Sequence, residues 1–194
     1  YQLYENNGVL KRDGVSEYLD KLSQNDRKIL RDLGVKFGRY HVFLFKLIKP
    51  EPVSLRTLLW KNHNQKYFNL QPPTFGLNFL YDKKFQNKNF MLLCGFEKFN
   101  NFYIRIDILE RLFMQIINSS TKDMKEIKII PEMLNLVGCK KDDFKQLLIA
   151  MSYKILEKDN EVFFKYNPKK RLKPQNKKDV KENPFGVLKN LNLN

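Results

Sequence analysis

Cys139 stands in the run LVGCKKDDF, directly before Lys140, Lys141, Asp142 and Asp143. Neighbouring ammonium groups lower a thiol pKa, and a thiolate is both a nucleophile and a metal ligand. Catalysis also needs a base beside the sulfur, and no histidine lies near Cys139 in sequence. His41 and His63 are far from both cysteines, Cys94 and Cys139, and no C-x-x-C or H-x-x-x-H spacing occurs, which argues against a structural zinc site. The two histidines read as packing or surface residues. Asp142 and Asp143 fall where a helix begins, a position that the helix dipole favours for carboxylates. Cys139 is therefore expected to be a structural, partly buried thiol. The chain has no G-x-x-x-x-G-K loop, G-x-S-x-G elbow, H-E-x-x-H or G-x-G-x-x-G. No catalytic residue, metal ligand or cofactor site is assigned to it.

Binding to a polyanion has better support. The chain of 194 residues carries 36 Lys and Arg against 21 Asp and Glu, a net charge of +15. Such a surface favours nucleic acid first and an acidic membrane second. Lys140, Lys141 and Lys145 fall on one candidate helix face, and Lys154, Lys158 and Lys165 on a candidate hairpin. Lys169, Lys170, Arg171 and Lys173 follow in a tail. Together these ten residues form the expected electrostatic track, each neutralised phosphate making binding more salt-sensitive. The alternative is an ordinary solvated face on a module that docks proteins only. Tyr40 and Phe43 are candidates for stacking on bases, with core packing the simpler reading of Phe43.

The elements that must position these residues are legible in part. Val15, Tyr18, Leu19 and Leu22 share a helical face, with Ile29, Leu30 and Leu33 as a second stripe. Ser23 with Asp26 resembles an N-terminal cap, and Gly34 a helix stop. VKFGRYHVFLFKLIKP is β-like. Pro52 suits the first turn of a helix that turns Leu55, Leu58 and Leu59 inward and Arg56 and Lys61 outward. Residues 64–90 read as a loop whose aromatics pack onto the body. From about Tyr103, Asp107 and Glu110 approach a capping box ahead of the apolar face Ile108, Leu109, Leu112, Phe113, Ile116 and Ile117. The extended IKII runs into Pro131, which starts a helix ended by Gly138. A further helix begins near Asp142, with Phe144, Leu147, Leu148 and Met151 inward, before the hairpin KILE–KDN–EVFFKY.

Helix, short strand, helix, glycine turn, helix and hairpin is the order of a winged helix-turn-helix. The expected fold class is thus α+β, mostly helical. Residues 1–100 would form a helical and β-containing accessory platform, 101–167 the winged helix-turn-helix, and 168–194 a basic flexible tail. Residues 167–194 hold eight Lys or Arg and two acids, too polar a composition to offset its ordering entropy. The NPFGVL patch near the end could dock on a partner or on the body. Two cysteines cannot make a disulfide framework, so a cytoplasmic setting fits. No run approaches the roughly 18 apolar residues of a membrane span, and no signal peptide is visible. The chain starts with Tyr1 rather than Met, which suggests a piece of something longer.

Four segments, YQLYENNGVLKRDGV, DRKILRDLGVKFGRYHVFLFKLIKPEP, IRIDILERL and PEMLNLVGCKKDDF, resemble the C-terminal region of superfamily 2 helicases in alphaproteobacteria, relatives of the mitochondrial degradosome RNA helicase. The similarity runs from Tyr1 to about Tyr166, and the tail with NPFGVL is similar to that family's lysine-rich tails. The most specific piece is LGVKFGRYHVFLFKLIKP. Two departures stand out: FKLIKP, where the family commonly has a proline and a small residue before its leucines, and KKDD, where it usually has a small or acidic pair. The second adds positive charge at the start of the expected recognition helix. The resemblance implies a bacterial module downstream of an ATP-driven motor, whose ATP- and Mg-binding motifs and arginine finger would precede Tyr1. The implied partners are the upstream helicase motor domains and nucleic acid, with single-stranded or structured RNA favoured and DNA possible. A protein-docking module on the motor or on a partner nuclease is the alternative. A free-standing winged-helix regulator is a third reading.

Overall fold

A computed structural model describes residues 1–82, 87–119, 126–158 and 161–166. Over these residues the chain is a mixed α+β structure with three three-stranded antiparallel sheets. A short helix α1 (Gln2–Glu5) leads into β1 (Val9–Lys11). After a 3-10 turn come α2 (Ser16–Lys21) and α3 (Gln24–Asp32), then β2 (Val35–Phe37) and β3 (His41–Leu44). β3 is central, in the order β1-β3-β2. Its run of consecutive buried residues, His41, Val42 and Phe43, is what a strand covered on both faces requires. Val42 packs with Val15 and Leu19, and Phe43 with Val9, Ile48 and Ile106.

The Ser23–Asp26 cap is a full capping box: Asp26 N donates to Ser23 Oγ at 3.2 Å and Ser23 N donates to Asp26 Oδ2 at 3.0 Å. Gly34 ends the following helix with φ +91°. Of the two expected stripes, Val15 and Leu19 are buried and Leu22 and Leu30 pack against them, while Tyr18, Ile29 and Leu33 are exposed. These two helices lie at the edge of the molecule, where one row of apolar residues is enough to fill the contact.

The next helix, α4 (Pro50–His63), corrects the expectation. Leu55, Leu58 and Leu59 are 58%, 52% and 60% exposed, and Val53 and Thr57 are the buried residues. Arg56 turns inward and donates to the Leu47 carbonyl at 2.7 Å. Val53 and the half-buried Trp60, seven residues apart, share the inner stripe and meet Phe90 and Met91. Both faces of α4 carry large apolar residues, so periodicity alone picks the wrong one.

Residues 64–90 are more structured than a loop. They contain a 3-10 turn at Gln65–Tyr67, β4 (Phe79–Tyr81) and the start of α5 (Lys88–Leu93). β5 (Phe96–Phe99) and β6 (Phe102–Arg105) complete a sheet ordered β4-β6-β5. The central strand is buried on both sides. Tyr103 faces Val53, Phe90 and Met91, while Phe102 and Ile104 enter the largest core. Residue 100 lies in the turn between β5 and β6.

That core is completed by α6 (Ile106–Ser119), β7 (Ile127–Lys128), α7 (Pro131–Val137), α8 (Lys141–Ala150), β8 (Tyr153–Lys158) and β9 (Glu161–Tyr166). The last three strands pair in the order β7-β9-β8. Ile108, Leu109, Leu112 and Ile116 of α6 are buried; Phe113 is half-buried and Ile117 exposed. Phe144, Leu147, Leu148 and Met151 all point into the core as expected. Pro131 occupies the first turn of α7, and Gly138 ends it in the left-handed region at φ 77°, ψ 36°.

Glu110 departs from its expected capping role. Its carboxylate accepts backbone N–H bonds from Arg39 at 2.5 Å and from Tyr40 and His41 at 2.9 Å. It thus fastens the β2–β3 turn onto α6. Gly38 makes this approach possible, since a Cβ there would lie 2.2 Å from Glu110 Cδ. Asp107 instead pairs with Arg105, at 2.6 Å.

Candidate nucleic-acid interface

Strand alternation decides which lysines share a face. Tyr153, Ile155, Val162 and Phe164 turn toward the helices and the core. Lys154, Leu156, Lys158, Glu161, Phe163 and Lys165 therefore occupy the opposite, outer face of the sheet. β7 adds Lys128, which lies opposite Phe163. Leu156 is paired with Phe163 and Lys154 with Lys165 across β8–β9. The result is a half-buried Leu156–Phe163 pair with Lys128 on one flank and the exposed Lys154–Lys165 pair on the other.

Not all of these charges are available. Lys158 donates to Glu126 Oε2 at 2.6 Å, and Lys128 bonds Glu161. Among the described residues, Lys154 and Lys165 make no ion pair with a carboxylate. Lys154 and Lys165 face each other directly across β8–β9, an arrangement in which like charges weaken a sheet.

The helix-side lysines separate from this face. Lys140 and Lys141 are exposed at the start of α8. Lys145 is committed to Glu157 at 2.6 Å, a residue on the core-facing side of β8. The expected single track is thus two patches, one at the start of α8 and one on the outer face of the sheet. Lys169, Lys170, Arg171 and Lys173, with the rest of the expected tail, lie outside the described residues. Lys128 was missed by the sequence reading because β7 is two residues long; the IKII segment was the signal that could have found it.

Asp142 and Asp143 sit in the first turn of α8, as expected, but neither caps it through a side-chain hydrogen bond. Asp143 accepts the Tyr81 hydroxyl at 2.6 Å, tying β4 to α8. Cys139 is half-buried against the main core. Burial, reinforced by the negative charge of Asp143, pushes its thiol up to about 12. The fully buried Cys94 is likewise pushed up to about 12. At neutral pH neither sulfur is a thiolate, so the lysines beside Cys139 do not activate it.

A second cluster was invisible in the sequence. His41 is 2% exposed, with Nε2 3.0 Å from Glu97 Oε2 and Nδ1 3.6 Å from Glu110 Oε1. Glu97 also receives Lys11 Nζ at 2.7 Å. Burial pulls the imidazole pKa down, but the two carboxylates overcome it and leave it raised. Burial pushes Glu97 up, and its bonds from His41 and Lys11 bring it below the ordinary carboxylate value. The cluster joins β1, β3, β5 and α6. It is a buried relay of charge, not a metal cage; among the described residues no group of His, Cys, Asp and Glu is placed to hold a metal ion. Tyr40 packs edge-on against Phe113 at 5.8 Å, and Phe43 is core, as its simpler reading had it.

No family model matches the chain, and no curated protein or solved structure matches it. Among the described residues no helix is long and apolar enough to cross a membrane.

Proposed function

We propose that the chain is a non-catalytic, nucleic-acid-binding accessory module of an ATP-dependent superfamily 2 helicase, acting in the cytoplasm on single-stranded or structured RNA. Residues 101–167 are read as a winged helix-turn-helix. The order α6–β7–α7–α8–β8–β9, the left-handed Gly138 between α7 and α8, and the sheet order β7-β9-β8 support that reading. The observation that carries nucleic-acid binding is the exposed Lys154–Lys165 pair beside Phe163 and Leu156. Cations there neutralise phosphates, and the ring offers a base a stacking partner. Motor and cofactor chemistry enter this reading only through the resemblance, which implies motor domains before Tyr1.

Charge reversal of the pair, Lys154→Glu with Lys165→Glu, tests this by fluorescence anisotropy with labelled RNA. A loss of about tenfold or more at low salt is expected. Unchanged affinity removes this face from the interface. The coding sequence upstream of Tyr1 tests the helicase assignment, which requires a phosphate-binding loop there.

One observation favours a second reading, a protein-docking module. Leu55, Leu58 and Leu59 expose a contiguous apolar strip on α4, with spacing suited to an anchor on another protein. Substituting all three with Ser would abolish capture of the motor domains under that reading and leave RNA affinity unaltered.

A further inference from the structure

A wide groove lies away from the sheet face. It has a volume of about 1010 Å³ and lies between the β2–β3 hairpin and α6. Its walls bring together three half-buried rings, Phe37, Phe45 and Phe113, and three exposed cations, Lys36, Arg39 and Arg111. None of these was singled out by charge runs, because they come from segments far apart in sequence, residues 36–45 and 111–113.

Two features distinguish this groove from an ordinary solvated cleft. Each ring carries a cation near its face: Arg31 at 5.8 Å from Phe37, Lys49 at 4.4 Å from Phe45, and Arg39 at 5.8 Å from Phe113. A base that stacks on one of these rings takes the place of the cation over it, which is then left beside the base for the adjoining phosphate. The walls also carry four cations, Arg12, Lys36, Arg39 and Arg111, against three acids, Asp107, Glu110 and Glu132. Of the acids on the walls, Asp107 is held by Arg105 at 2.6 Å, and Glu110 is engaged by the three backbone N–H groups of the β2–β3 turn. Lys36 and Arg111 are exposed, and Arg12 donates to the Gly38 carbonyl at 2.6 Å.

We infer that this groove binds single-stranded nucleic acid, with bases stacked on the Phe37, Phe45 and Phe113 rings and phosphates held by Lys36, Arg39 and Arg111. The inference rests on the nucleic-acid reading above and assigns it a second site. A duplex hides its base faces and gains nothing from the rings, so the groove selects single strands. The volume is at the upper end of the roughly 300–1,000 Å³ that accommodates small organic ligands, which leaves room for more than one nucleotide.

The test uses the whole chain and a labelled eight-nucleotide oligo-uridine. Lys36→Glu with Arg111→Glu lowers affinity for the single strand by about tenfold or more. Phe37→Leu with Phe45→Leu weakens the oligonucleotide but not an abasic oligomer of equal charge. Single-strand affinity within twofold of the unaltered chain in either double variant overturns the groove. Equal competition by abasic oligomer or poly-glutamate overturns it as well. Where the groove variants bind normally and Lys154→Glu with Lys165→Glu does not, only the groove fails. Absence of any binding by the unaltered chain sinks both readings. Should a variant unfold, cross-linking of 4-thiouridine oligonucleotide to the unaltered chain decides: adducts within residues 36–45 or 107–115 support the groove, and adducts confined to 126–166 refute it.

Discussion

His41 lies between two carboxylates from different elements, 3.0 Å from Glu97 and 3.6 Å from Glu110, and its removal would leave the buried Glu97 with Lys11 alone. His41→Gln is expected to cost about 2–3 kcal/mol near pH 6, because a buried carboxylate loses its partner. The pH dependence has a definite sign. The folded-state imidazole pKa is raised, so its stabilisation is complete below the unfolded value near 6.5 and is lost as pH climbs through the folded value. Glu97 is lowered, so its contribution is present above its unfolded value of about 4.5 and lost as pH falls. Melting temperatures of the parent and His41→Gln should therefore differ most near pH 6 and converge toward pH 9. A constant gap from pH 6 to 9 would show that the imidazolium contributes nothing. The same scale governs Cys139. With its thiol at about 12, disulfide reagents should react slowly at pH 7.5 and become fast only in denaturant.

Close approaches between elements set the next level. Gly38→Ala would drive a methyl group into Glu110, which is held by three backbone donors. A loss of about 2 kcal/mol in denaturant unfolding is expected, since either the carboxylate moves or the turn does. Glu110→Gln combined with Gly38→Ala should cost less than the two separately, because they act on one contact. Which elements were legible follows from their chemistry. The capping box at Ser23, the proline start of α7 and the glycine stop at Gly138 depend on neighbours within a few residues, and the sequence carries that information locally. α8 was equally plain, because Phe144, Leu147 and Leu148 recur on one face, with Ile149 the large apolar residue left outside it. α4 was read inside out, since apolar residues line both its sides and tertiary contact with Phe90 and Met91 decides between them. β4, β5 and β6 were missed because each is four residues or fewer and none stands without its neighbours.

At the scale of the molecule, Tyr40, Phe79 and Phe99 pack against the core built by β6, α6, α7, α8 and the last sheet, and the Lys11–Glu97–His41–Glu110 cluster adds a polar tie between β1, β3, β5 and α6. The lysines predicted as a single track divide between the start of α8 and the outer sheet face, and two of the six described ones are held by carboxylates. Strand register, which a sequence does not display, makes that division. The groove residues were hidden for a related reason: folding gathers them from β2, the turn after β3, and α6. The excess of 36 basic over 21 acidic residues is what motivates the proposed polyanion partner.

The most direct test is the salt dependence of binding between the whole chain and single-stranded RNA, measured by anisotropy from about 50 to 300 mM salt. Several phosphate contacts, each contributing about 0.7 to the slope for a single strand, predict a plot of log K against log salt that falls with a slope of about −3 or steeper. Neutralising the outer-face pair, Lys154→Ala with Lys165→Ala, should flatten it by about 1.4. No detectable affinity at the lowest salt would contradict the proposed function.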